Sequence, residues 1–161
     1  MIKIDEKDGI ILDILQKNCR TPLVQIARKV GLSVDSVKKR MNKMVNGYVY
    51  YPRIQLRPRN FGFPNVAEIR MKVHYNDEKE LLAFIESLKK NHRVVEIFSI
   101  AGDYDLFIVV VAKDAIDLGR VMDGIRNRFG KIITAWSVSL TIKCYKFEEY
   151  DVDRLFGDLR D

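Results

Sequence analysis

The spacing of the apolar residues changes once along the chain, near residue 48, and this change constrains the fold more than any other feature. Before it, apolar residues recur at helical intervals, as in the stripe of Leu23, Ile26, Ala27 and Val30. After it, β-branched and aromatic residues alternate with polar ones, which favours strands. The sequence therefore predicts a helical N-terminal part followed by a mixed α/β part.

Start and stop signals divide the first part into three short helices. Asp5 is a predicted N-cap with Asp8 in the first turn, and Thr21-Pro22 is the predicted start of the second helix. Gly31 suits a left-handed position after that helix, and Ser33 is the predicted cap of the third helix. The third helix is expected to end at Asn46-Gly47. A short turn containing a glycine between two helices is typical of a helix-turn-helix.

The second part alternates strands and helices in the order β-α-β-β-α-β, which is the order of a ferredoxin-like domain. Its predicted strands are residues 67–75, 94–101, 106–112 and 132–145, and its helices begin at 76–77 and span 114–129. The predicted fold class is thus α+β, with a helix-turn-helix domain followed by a ferredoxin-like domain; the wing of the predicted winged helix-turn-helix is implied by the family resemblance given below.

These elements predict four segments. Residues 1–47 are the predicted helix-turn-helix domain, 48–65 a strand and hinge linker, and 66–147 the ferredoxin-like domain, whose expected role in effector binding and oligomerisation is argued below. The strand is predicted over residues 48–56, with a bend at Pro52. Residues 148–161 form an acidic tail, in which Val152, Leu155, Phe156 and Leu159 are spaced like one face of a short helix that packs on a neighbour.

Charge is distributed unevenly along the 161 residues. Residues 1–60 hold 13 Lys and Arg against 5 Asp and Glu, whereas residues 61–161 hold 15 against 17. A basic first third favours binding to a polyanion, although a solvated basic surface would give the same count.

The longest apolar run has seven residues, too short to span a membrane. With two cysteines, two histidines and no CxxC, neither a zinc site nor any other cofactor is predicted, and a reducing cytoplasm fits best.

The third helix has one apolar face, formed by Val37, Met41 and Met44, and a polar face that suits the major groove of DNA. Lys38 and Arg40 are predicted at the flanks of the polar face. An ordinary amphipathic helix with a solvated basic face is the alternative. The candidate DNA-binding residues are Ser33, Asp35, Ser36, Lys38, Lys39, Arg40, Asn42 and Lys43.

The strand at residues 106–112 is apolar on both sides, so the second face of the sheet needs a cover. A second copy of the chain would provide one, and a two-fold dimer would also present two helices to two half-sites on DNA. Flanking side chains lying over the strand are the alternative.

The turn Gly102-Asp103-Tyr104-Asp105 is the second candidate functional motif in the sequence. As a β-turn it needs no further explanation. Its two carboxylates, its phenol and its backbone amides could also hold a small zwitterion, so these four residues are the candidate effector site.

With these motifs, the chain resembles the Lrp/AsnC family of prokaryotic transcription regulators over nearly its whole length. The matching stretches are Val30-Gly31-Leu32-Ser33 leading into Val37 and Lys39-Arg40, together with Ala101 to Leu106. The resemblance implies a winged DNA-binding domain, a hinge strand and a C-terminal effector domain. It also implies dimers that assemble further, commonly into octamers, with amino acids or related metabolites bound near the Gly-Asp-Tyr-Asp turn.

The sequence thus predicts a cytoplasmic regulator that binds specific double-stranded DNA, with no membrane contact and no enzymatic activity. A sequence-tolerant architectural DNA-binding protein is one alternative, and a tetrapyrrole decarboxylase on a similar two-domain chain is another. Against the enzyme, the turn region lacks the histidine and arginine that the resemblance to such decarboxylases would place there, and His74 and His92 are expected to be solvated or satisfied residues and not catalysts.

Overall fold

A computed structural model describes residues 2–158 of the chain. The contacts divide it into two compact units, which are residues 2–55 with 145–158, and residues 56–144. The helices and strands of the described chain are α1 (Glu6–Lys17), α2 (Leu23–Val30), α3 (Val34–Asn46), a 3-10 turn (Pro58–Phe61), β1 (Asn65–Val73), α4 (Glu78–Lys90), β2 (Val94–Ser99), β3 (Leu106–Ala112), α5 (Ala115–Phe129), β4 (Ile133–Leu140) and α6 (Val152–Asp158).

The first unit is a helix-turn-helix, as predicted. A capping box starts α1, because the Asp5 carboxylate accepts from Asp8 N while the Asp8 carboxylate accepts from Asp5 N. Gly31 ends α2 in the left-handed conformation with φ of 64°, and Ser33 caps α3. The predicted cap at Thr21 is wrong by one residue: Pro22 is the N-cap, and the Thr21 hydroxyl donates to Asn18 O instead. The three helices bury a common core of Ile11, Ile26, Ala27, Val30, Val37 and Met44.

The second unit is a four-stranded antiparallel sheet in the order β2-β3-β1-β4. Alternation along β1 buries Ala67, Ile69 and Met71, while the residues between them lie on the opposite face. These side chains share one core with Phe84 of α4 and Leu118 of α5. The predicted α+β class, with a helix-turn-helix followed by a ferredoxin-like domain, is confirmed.

The predicted strand over residues 48–56 is wrong, since the described chain has no strand between α3 and β1. Instead, Arg53 N donates to Tyr51 O at 2.8 Å, which closes a tight turn around Pro52. Proline also lacks the N–H that a paired strand would use. The helix-turn-helix part of the first unit (residues 2–55, called the head below) therefore has no wing in this structure. The last predicted strand is also too long, because β4 covers Ile133–Leu140 rather than 132–145.

The outer face of the sheet is partly covered by its own side chains. Val109 of β3 is only 8% exposed in the single chain. Next to it, the Arg70 guanidinium lies 5.6 Å from the centre of the Phe107 ring and pairs with Glu68 at 3.2 Å. This is the flanking-side-chain alternative that the sequence left open. The cover is incomplete, because Phe98 of β2 remains 49% exposed.

The predicted amphipathic tail helix is confirmed as α6, with Leu159 outside the described residues. It packs on α1 of the same chain, whereas the sequence favoured a neighbour. Among residues 2–158, no helix combines the length and the apolar character needed to cross a membrane.

Candidate DNA-binding helix and ligand loop

The helix α3 presents one apolar and one polar face, as its sequence predicts. Val37 and Met44 are buried in the helical core. The opposite face is solvent-exposed and carries the predicted residues Asp35, Lys38, Lys39 and Asn42. This face combines ammonium, amide and carboxylate groups, which are suited to contacts with phosphates and base edges.

Two serines shape the start of α3. The Ser33 hydroxyl accepts from Ser36 N at 3.2 Å and lies 2.8 Å from the Ser36 hydroxyl. Ser33 is exposed and Ser36 is half-buried. The capped N-terminus also carries the positive end of the helix dipole, which attracts phosphate.

Arg40 points toward α1 instead of standing free at the flank of the polar face. Its Nη1 lies 2.7 Å from an Asp5 oxygen and 2.8 Å from an Asp8 oxygen. The Asp8 side chain is 1% exposed, so the guanidinium balances a carboxylate that has almost no access to water. The Asp8 and Asp5 carboxylates raise the pKa of Arg40 above its ordinary value. Against its partial burial, the hydrogen bond from Asp8 N and the Arg40 guanidinium keep the pKa of Asp5 below the ordinary value.

Lys43 is exposed and also reaches toward the start of the chain. Its Nζ donates to Lys3 O at 2.7 Å. The eight predicted residues therefore divide into two groups. Arg40 and Lys43 hold the segment around the start of α1, and the structure shows no such long-range contact for the other six within the described chain.

The loop between β2 and β3 holds the four candidate effector residues. Gly102 has φ of 132°, a conformation that side-chain-bearing residues rarely adopt. Asp105 continues the sheet: its N donates to Met71 O at 3.0 Å, and its carboxylate accepts from Val73 N at 2.8 Å. The Asp105 carboxylate thus already has a backbone partner.

The other two side chains of this loop have different surroundings. Asp103 is exposed and Tyr104 is half-buried. The loop therefore offers a ligand the Asp103 carboxylate and the Tyr104 phenol, beside the exposed Asp105 carboxylate, one oxygen of which accepts from Val73 N. Among residues 2–158, no group of His, Cys, Asp and Glu is arranged to hold a metal ion.

The internal role of Arg40 was missed by sequence reasoning. The capping pair Asp5 and Asp8 was recognised, yet no signal in the sequence places Arg40, more than 30 residues later, beside it. A buried carboxylate at the start of α1 needs a cation, and that need would have been the only indication.

This geometry defines a class: a two-unit protein in which a helix-turn-helix with an exposed basic helix face precedes a ferredoxin-like sheet unit. Residues 4–45 match the AsnC-type helix-turn-helix domain, and residues 66–144 match the Lrp/AsnC ligand binding domain. The chain belongs to the Lrp/AsnC family of transcriptional regulators, so the resemblance read from the sequence is confirmed.

Individual proteins agree with this assignment. The chain is 34% identical over 134 residues to the HTH-type transcriptional regulator LrpA of Pyrococcus horikoshii, a match that covers 80% of this chain and 88% of that protein. The crystal structure of an AsnC family transcriptional regulator from Agrobacterium tumefaciens matches with a TM-score of 0.82 and 24% identity, over 94% of this chain and 99% of that one.

A further solved structure is the transcriptional regulator NMB0573 of Neisseria meningitidis in complex with L-Met. It matches with a TM-score of 0.82 and 21% identity, over 95% of this chain and 99% of that one. At this identity the likeness shows the fold. The relative from Pyrococcus horikoshii and the matched family are transcriptional regulators, which agrees with the prediction that this chain is not an enzyme.

Proposed function

We propose that this protein regulates transcription by placing the exposed face of α3 in the major groove of specific duplex DNA. The observation that carries the proposal is the division of α3 into a buried apolar face and an exposed face bearing Lys38, Lys39 and Asn42. An exposed set of this composition, beside a capped helix N-terminus, matches the way a recognition helix meets DNA.

The residues of this face have separate roles in the proposal. Lys38 and Lys39 neutralise phosphates, and Asn42 bonds a base edge, since a side-chain amide can pair with adenine at two points. Ser33 and Ser36 receive a phosphate at the helix N-terminus. Asp35 accepts from a cytosine amino group.

Arg40 and Lys43 act differently in this proposal. Their contacts to Asp5, Asp8 and Lys3 support a positioning role, in which they fix α3 against the start of α1. Their positive charge still adds to the field that attracts DNA.

The loop at Gly102–Asp105 is the proposed effector site, for an amino acid or a related small metabolite. The match of residues 66–144 to a ligand binding domain supports a ligand in this unit. Within the loop, the exposed Asp103 carboxylate would pair with the amino group of such a ligand, and Tyr104 would contact its side chain. Asp105 would keep the loop on the sheet.

The proposed working form is a homodimer that assembles further, in the cytoplasm, where DNA and the effector meet. The half-exposed Phe98 on the outer face of the sheet supports a second copy as its cover. Two recognition helices would then read two half-sites.

The specificity test starts from duplexes selected by the protein from a random pool. We expect tighter binding to a selected duplex than to its scrambled version at the same salt concentration. Asn42→Ala should narrow this difference by about tenfold, corresponding to about 1–3 kcal/mol for a two-point base contact. Lys131→Ala, an exposed lysine in the second unit, is the control. Equal affinities for selected and scrambled duplexes would instead indicate an architectural DNA-binding protein.

The effector test measures particle mass by light scattering with each of the twenty standard amino acids. We expect at least one of them to shift the mass, and Asp103→Asn to abolish the shift. The matched variant is Lys113→Gln, an exposed residue just beyond β3. A shift that persists in Asp103→Asn would remove Asp103 from the site.

A further inference from the structure

The C-terminal tail is built into the DNA-binding unit. The side-chain amide of Gln16, in α1, forms two hydrogen bonds with the backbone of Tyr150, which lies just before α6. Gln16 Nε2 donates to Tyr150 O at 2.7 Å, and Tyr150 N donates to Gln16 Oε1 at 2.9 Å. This paired contact fixes the tail at the C-terminal end of α1. It joins residues 134 positions apart in the chain.

Apolar contacts hold α6 at the other end of α1. Val152 is buried, and the Phe156 ring covers Gly9. A Cβ at Gly9 would lie 3.4 Å from the Phe156 ring and 3.9 Å from Val152, so alanine would fit in van der Waals contact while a longer side chain would meet the ring. The helix interior normally disfavours glycine, and the seat for Phe156 explains its presence here.

The charge of the tail opposes that of the head on which it sits. Residues 1–55 carry 11 Lys and Arg against 5 Asp and Glu, a net charge of +6. Residues 145–158, the part of the tail that the structure describes, carry 2 Lys and Arg against 5 Asp and Glu, a net charge of −3. Docking of the tail therefore places acidic groups on the unit that must approach the phosphates of DNA.

We propose that the C-terminal tail is an autoinhibitory element, in which α6 seated on α1 holds negative charge on the head and weakens its binding to DNA. The inference rests on the proposed DNA-binding function. The seat includes the Val152 and Phe156 side chains at one end of α1 and the Gln16 amide at the other. A terminal segment of this kind opens locally more readily than the core of a domain unfolds. Because coupling between two binding events is reciprocal, any change that releases α6 strengthens DNA binding, and bound DNA loosens α6.

The effect of the negative charge of the tail on DNA binding is tested in the 161-residue chain with the double variant Glu149→Gln/Asp153→Asn. This variant removes two negative charges and leaves the capping residue Asp151 in place. We expect this variant to bind a random-sequence duplex about three- to tenfold more tightly than the parent at about 50 mM salt. The gain should vanish near 300 mM salt, where the screening length is only about 5–6 Å. The matched control Glu78→Gln/Asp123→Asn removes the same charge from the sheet unit and should give a smaller gain.

The docking of α6 on α1 is tested by comparing two variants of Gly9. Gly9→Leu displaces the Phe156 ring without changing the charge, whereas the alanine side chain of Gly9→Ala fits beside the ring. We expect Gly9→Leu to expose residues 145–151 to protease and to tighten DNA binding at low salt, while Gly9→Ala behaves like the parent. Far-UV circular dichroism and the melting temperature show whether the head of each variant is folded.

Three outcomes would overturn the proposal. The first is unchanged low-salt affinity in Glu149→Gln/Asp153→Asn, and the second is an equal gain in the sheet-unit control. The third is a folded Gly9→Leu variant in which protease sensitivity and affinity do not change. If the parent and all variants fail to bind any duplex, the proposed function fails first and the autoinhibition falls with it, which is a distinct result.

Discussion

The recognition helix α3 and the loop at Gly102–Asp105 look alike in sequence, since each is a short cluster of charged and polar residues, but the structure divides each cluster in a different way. In α3, the cations Arg40 and Lys43 bond the chain itself: Arg40 pairs with the buried Asp8 carboxylate of α1, and the exposed Lys43 donates to Lys3 O just before that helix. In the loop, the residue with such a bond is the anion Asp105, which is exposed and accepts from Val73 N at the end of β1. In both regions the partner lies at the end of a neighbouring helix or strand. A charged cluster beside such an end is therefore divided into internal residues, which bond within the chain, and free residues, which remain for a ligand.

The largest effect is expected from Arg40→Ala. The substitution leaves the buried Asp8 carboxylate without its cation, so the free energy of unfolding of the head should fall by about 2–3 kcal/mol. Urea unfolding followed by circular dichroism measures this loss. Lys39→Ala, on the exposed face of the same helix, should stay within about 0.5 kcal/mol of the parent. Equal losses in the two variants would remove the distinction between internal and free cations.

The loop offers the second comparison. Asp105→Ala removes the acceptor for Val73 N and should destabilise the sheet unit by about 0.5–1.5 kcal/mol. Asp103→Ala, two residues earlier and exposed, should leave stability within about 0.5 kcal/mol. Thermal unfolding measures both. A larger loss for Asp103→Ala would reverse the roles assigned to the two aspartates.

The third comparison concerns DNA affinity. Lys39→Ala should weaken binding to any duplex by several-fold and lower the slope of log affinity against log salt by about one, since one phosphate contact is lost. Lys43→Ala should change the slope less, because its ammonium group already bonds Lys3 O. Fluorescence anisotropy over a range of salt concentrations measures both slopes. If Lys43→Ala lowers the slope of log affinity against log salt more than Lys39→Ala does, the assignment of Lys39 as the phosphate contact is wrong.

The smallest effect is a pH dependence at Asp5. Folding lowers the pKa of Asp5 below the ordinary value of 3.8, so this carboxylate contributes stability above that value and loses it as the pH falls through the folded pKa. The side chain is half-exposed, and we expect a contribution of about 0.5 kcal/mol. Urea unfolding between about pH 5 and 3 should show a flatter profile in Asp5→Asn, which retains a capping oxygen. An identical profile would mean that the negative charge of Asp5 gains nothing on folding from Asp8 N or from Arg40.

Most of the fold could be predicted because its signals are local. The capping box at Asp5, the left-handed Gly31 and the alternation of β1 each depend on residues close together in the sequence. The segment around Tyr48–Leu56 misled the prediction, since aromatic and β-branched residues favour strands only where a partner strand is available. Pro52 closes a turn there instead.

The candidate site was only partly predictable for the same reason. The polar face of α3 follows from helical geometry, so Lys38, Lys39 and Asn42 were expected where they lie. The partners of Arg40 and Asp105 lie more than 30 residues away, at Asp5, Asp8 and Val73. No periodicity connects such positions, and only the three-dimensional structure identifies them.

The place of Phe156 against Gly9 has a consequence for synthesis. A chain emerging from the ribosome exposes its first three helices long before its last residues are made. Until residues 145–158 are made, Gly9 has no ring to cover it, and the early helices lack the acidic segment that later packs on them. On the proposed autoinhibition, the nascent head attracts nucleic acid most strongly before this segment is made, and synthesis of the segment is the event that restrains it.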